Sequence, residues 1–116
     1  MAIQHNDLVR SLAFIYMRHG YHRRAKALFE LLVKSDPDDI HIRLSLASVL
    51  VKCGRAGSAL EVLMPLENNV LEDQARKFFS LVMSEALQQL GRLNEARQFF
   101  DQYRANGTAH SVKVAP

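Results

Sequence analysis

Two small residues recur in step along this chain. Gly20, Gly54 and Gly91 stand 34 and then 37 residues apart, and Ala25, Ala59 and Ala96 each follow one of them by five. A large apolar residue comes four positions after each alanine: Phe29, Leu63 and Phe100. Each mark has a physical use. A glycine ends a helix, because it takes the left-handed conformation that other residues avoid. An alanine lets two helices come close, and an apolar side chain one turn further on fills the gap between them. The stretch GYHRRAKALFELLVKSDP adds a stop at Pro37, which cannot continue a helix. The chain therefore reads as one helix–turn–helix unit used three times.

Helical spacing of apolar residues predicts six helices, over about 7–19, 22–34, 39–53, 56–67, 72–90 and 93–105. Asn6 or Asp7 is expected to cap the first, and Asp38 or Asp39 the third. Val9, Leu12, Ala13 and Tyr16 make a buried face for the first helix, which Leu8 and Ile15 widen. Pro65 should cut or kink the fourth helix. The last eleven residues, NGTAHSVKVAP, open on the turn signal Asn106-Gly107, and a flexible tail is expected over 106–116.

A period of 34 is that of the tetratricopeptide (TPR) repeat. The chain resembles a protein of three TPR units, over about 6–39, 40–73 and 74–105 of a single domain 1–105. The resemblance is good in the second helix of each unit and weaker in the first, where Val9, Arg43 and Ser80 replace the family's early Trp. It implies an all-α fold of tandem helix-turn-helix units, wound as a short right-handed superhelix with a concave groove. It also assigns the groove lining to the first helices. Arg10, Phe14, Met17, Arg18, Leu44, Ser48, Val51, Phe78, Leu81 and Glu85 are the partner-binding candidates. Asp7, His41, Lys52, Gln88 and Gln89 fall on the same face.

Six of these candidates are large and apolar: Phe14, Met17, Leu44, Val51, Phe78 and Leu81. An open groove carrying them would suit an apolar segment of another protein. Two other readings stay open: a tightly curled array that hides them, and a homodimer. Phe99 has no following unit to pack against and is expected to be an exposed aromatic at an interface.

The remaining features define what else the chain offers. A net charge of +3 permits an acidic partner without demanding one. Arg18, His19, His22, Arg23, Arg24 and Lys26 cluster at the first turn, with no aromatic platform to read a nucleic acid. His19 and His22 have metal-like spacing but no third ligand near them in sequence. Cys53 is single, which excludes an internal disulfide and suits a reducing compartment. The carboxylates are scattered, and no nucleophile elbow or phosphate loop occurs. No enzyme, cofactor or metal is therefore expected. No secretory leader or membrane-spanning run stands out, and a cytoplasmic protein is the default expectation.

Length, the opening helix and the placing of GYHRRAKALFELLVKSDP make the chain similar to the small TPR chaperones of bacterial type III secretion systems. That resemblance implies a cytoplasmic protein that keeps a small secreted or needle-type subunit soluble and export-competent as a heterodimer. A second chaperone is a further partner it allows. The alternative is a generic TPR scaffold that joins folded proteins.

Overall fold

The computed structural model describes residues 5–114, with side-chain surroundings for 7–105. Six α-helices follow one another: α1 (His5–Arg18), α2 (His22–Ser35), α3 (Ile40–Lys52), α4 (Ala56–Leu63), α5 (Asp73–Gln89) and α6 (Leu93–Val114). A short 3-10 turn, Met64–Leu66, extends α4 and carries Pro65 near its start. Among the described residues there is no strand.

The three glycines do the same job three times. Gly20, Gly54 and Gly91 have φ of 83°, 77° and 79°, and no other described residue has a positive φ. The residue after each glycine donates its N–H back to a carbonyl five positions earlier: Tyr21 to Tyr16 at 2.9 Å, Arg55 to Leu50 at 2.8 Å, Arg92 to Leu87 at 2.9 Å. The glycine N–H reaches back three positions, to Met17, Val51 and Gln88. This double bond pattern satisfies carbonyls that a helix end would leave bare. The same Tyr21, Arg55 and Arg92 then accept, at their own carbonyls, the N–H of Ala25, Ala59 and Ala96. One residue thus closes the first helix of a unit and starts the second. The fixed glycine-to-alanine distance is the length of that turn.

The stack is built by neighbours. Each helix packs on the next in the chain, and α3 and α4 also meet α5. The centre is α3, where Ile42, Leu44, Ser45, Leu46, Ala47, Val49, Leu50 and Val51 are all buried. A helix that is apolar nearly all round has to be covered on all sides. Asp39 starts it: its Oδ1 accepts the Ile42 N–H at 3.2 Å. Two side chains stitch adjoining elements. Arg43 donates to the carbonyls of Pro37 at 2.6 Å and Val62 at 3.0 Å. Gln89 donates to the Val51 carbonyl at 3.0 Å and accepts the Ala56 N–H at 3.1 Å.

Two boundaries differ from the sequence reading. Helix α1 already includes His5, ahead of Asn6 and Asp7, so both residues lie inside the helix. Helix α6 does not stop near 105 but continues to Val114. Helical backbone runs through the Asn106-Gly107 pair, where a turn was expected. On α1, Val9, Ala13 and Tyr16 turn inward, whereas Leu8, Leu12 and Ile15 stay 59%, 42% and 50% exposed.

Candidate functional site

The face assigned to binding runs over the first helices α1, α3 and α5. The structure divides its candidate residues into three groups.

The first group is buried. Leu44 and Val51 are 2% and 8% exposed and belong to the core cluster. Their assignment to an open groove is corrected. In an array this short, the middle helix has a neighbour on every side, and its groove-facing residues become interior ones. The apolar surface that an open groove would leave wet is instead hidden within the chain itself.

The second group is half-buried. Phe14, Met17 and Phe78 pack against the core cluster without being absorbed by it. Phe14 meets the buried Phe29 edge-to-face, with centroids 5.1 Å apart. Leu81, Ser48 and Glu85 are likewise half-covered. Phe14 and Met17 come from the first unit and Phe78 and Leu81 from the third, whereas the buried Leu44 and Val51 belong to the second.

The third group is polar and engaged or free. Arg10 Nη1 donates to Asp39 Oδ2 at 2.8 Å, and its guanidinium lies 6.0 Å from the Phe14 ring centroid. It ties α1 to the start of α3 and also roofs Phe14. Partial burial raises the pKa of Asp39. The hydrogen bonds from Arg10 and the Ile42 N–H, with the charges of Arg10 and His41, outweigh that and hold the carboxyl below 3.8. Arg18 is exposed. Gln89, placed on the lining by the resemblance, is spent on the backbone of the α3–α4 turn.

The C-terminal end also departs from expectation. Phe99 is not the exposed aromatic. It is half-buried and packs on Phe79, with centroids 6.2 Å apart. The exposed ring belongs to the next residue, Phe100, at 42%. Leu93, two turns earlier on α6, is 62% exposed. Sequence reasoning missed these, and it missed Leu8, Leu12 and Ile15. The signal in the sequence was that these stripes belong to the first and the last of the three described units.

The basic cluster at the first turn is partly committed. Arg24 sits over two rings, 5.7 Å from Tyr16 and 5.3 Å from Tyr21. Among the described residues, no group of three or more His, Cys, Asp or Glu could hold a metal ion. Among the same residues, no helix is long and apolar enough to cross a membrane.

The tetratricopeptide repeat matches residues 11–39, which run from α1 through α2 to the cap of α3. Among curated proteins, none matches the chain. The matched unit and the two turns that repeat its hydrogen bonds define an all-α array of TPR-like helix pairs. Repeats of this kind are typically modules that bind proteins.

Proposed function

We propose that this protein holds an apolar, helical segment of a partner protein across the face formed by α1 and α5. The observation that carries the reading is the placing of Phe14, Met17, Phe78 and Leu81. These four are half-covered in the chain alone, while Leu44 and Val51 on the helix between them in sequence are buried. A helix laid there completes their burial, and covering one such side chain fully is worth about 1.5–3 kcal/mol.

The finer reading is a chaperone of the type III secretion kind. In that role the chain keeps a small secreted or needle-type subunit unpolymerised in the cytoplasm until export. Its support is the resemblance in length and in the first two helices. A scaffold that joins folded proteins is the second reading, favoured by the apolar residues bared at both ends of the stack.

Affinity purification from the native cell, followed by identification of what co-purifies, tests the proposal. A small helical polypeptide is expected in near-equal amount. Phe14→Asp and Met17→Asp should release it, and Leu31→Asp, which alters an exposed residue of α2, should retain it. Recovery of large folded proteins alone, unaffected by Phe14→Asp, would overturn the chaperone reading in favour of the scaffold.

A further inference from the structure

The three units share a frame, so equivalent positions can be compared directly. On the first helix of the second unit, Ile42, Ser45, Leu46 and Val49 are 1%, 6%, 4% and 0% exposed. Their equivalents in the third unit, Phe79, Val82, Met83 and Ala86, are at most 3% exposed. In the first unit the same stripe is Leu8, Ser11, Leu12 and Ile15, and all four are exposed. The spacing i, i+3, i+4, i+7 is one continuous helix face. The first helix of the second unit has α2 packed on it, and that of the third has both α3 and α4. The stripe is buried in the two units whose first helix has a preceding unit packed on it, and exposed in the other.

The other end shows the reverse. On α4, Ala56, Leu63 and Leu66 are 3%, 0% and 4% exposed, with α5 packed on that helix. Their equivalents on α6 are Leu93, Phe100 and Tyr103. Leu93 and Phe100 are 62% and 42% exposed, and Tyr103 is half-buried. One end of the stack thus bares the receiving half of the contact between units, and the other end bares the inserting half. Both halves are already joined twice inside the chain, by α2 on α3 and by α4 on α5.

We propose that the chain associates with itself head to tail, with the Leu93–Phe100 stripe of α6 in one copy seated on the Leu8–Leu12–Ile15 stripe of α1 in the next. The occupant is a second copy, because the joint it makes continues an interface the chain already builds. Such a contact is heterologous: it uses two different patches, and each added copy presents a fresh end. It does not use the Phe14–Met17–Phe78–Leu81 face and does not depend on the function proposed for that face.

Sedimentation velocity of the purified full chain over a wide concentration series tests this. The average mass should start near 13.2 kDa and rise past the dimer without a plateau. Leu8→Lys with Ile15→Lys should hold the chain at the monomer, and so should Phe100→Lys. Leu93→Lys serves as a second variant of the same end if circular dichroism shows Phe100→Lys to be unfolded. The decisive sample mixes the α1 variant with an α6 variant. Each keeps the end the other has lost, so the mixture should stop at one capped dimer. A monomer at every concentration would overturn the proposal. So would a wild-type dimer that Phe100→Lys and Leu93→Lys leave intact, since that would be an α1-to-α1 pair. A mixture that stays monomeric would overturn it as well.

Discussion

Helices α1 and α3 occupy the same place in successive units and meet opposite fates. Both follow the same apolar plan, with Leu12 and Leu46 at equivalent positions. Leu46 is 4% exposed and Leu12 is 42%. Nothing in the two residues accounts for this. Helix α3 lies between α2, α4 and α5, whereas α1 packs chiefly on α2. In a stack held together by nearest neighbours, the burial of a stripe belongs to its position in the stack. The middle unit spends its apolar residues on the core. The outer units leave part of theirs exposed, on α1 and on α6.

The comparison can be broken most directly by truncating the two leucines. Leu46→Ala should cost about 2–5 kcal/mol, as a fully packed leucine does. Leu12→Ala should cost about 1 kcal/mol or less, because much of its side chain is already in water. Urea unfolding of dilute protein measures both. Equal losses would mean that α1 is covered in solution and that the contrast between the units is wrong.

A smaller effect sharpens the link between α1 and α3. Asp39 caps α3 and pairs with Arg10. Asp39→Ala should cost about 1 kcal/mol at neutral pH. The folded pKa of Asp39 lies below 3.8, its value when unperturbed. The stabilisation is therefore complete above 3.8 and is lost as the pH falls through the lower folded value. The gap in urea midpoint between wild type and Asp39→Asn should narrow in acid. A gap that stayed constant would show that the cap does not act through its charge.

The smallest effect lies in α5. Ser80 is fully buried and its hydroxyl has no hydrogen-bond partner. Ser80→Ala removes a buried polar group and adds a better helix former, so it should stabilise the fold by about 0.5–1 kcal/mol. A loss in thermal midpoint would mean that the hydroxyl is satisfied after all.

Much of the fold was legible because turns are local. A glycine with positive φ and an alanine five residues later prescribe the same hydrogen bonds wherever they occur, and all three turns follow that prescription. Pro65 ends regular helix as its missing N–H requires. The candidate site was legible only in part. Leu44 and Phe14 both read as apolar residues left over from a core face. One became core and the other a half-covered rim, because one helix has a neighbour on every side and the other does not. Phe99 and Phe100 were exchanged for a similar reason. The ring that packs on Phe79 is chosen by how α6 lies on α5, and sequence spacing places both rings one position apart without ranking them. The extension of α6 past Asn106-Gly107 was hidden because that pair suits a turn in isolation.

What the sequence determined alone was the unit: two helices, the glycine turn between them, the period, and the number of copies. These rest on backbone conformations and hydrogen bonds within a few residues of each other. Only the tertiary structure decided which apolar faces are interior. Leu46 and Leu12 carry the same side chain at the same place in the repeat, and the helix packed against one of them is the whole of the difference.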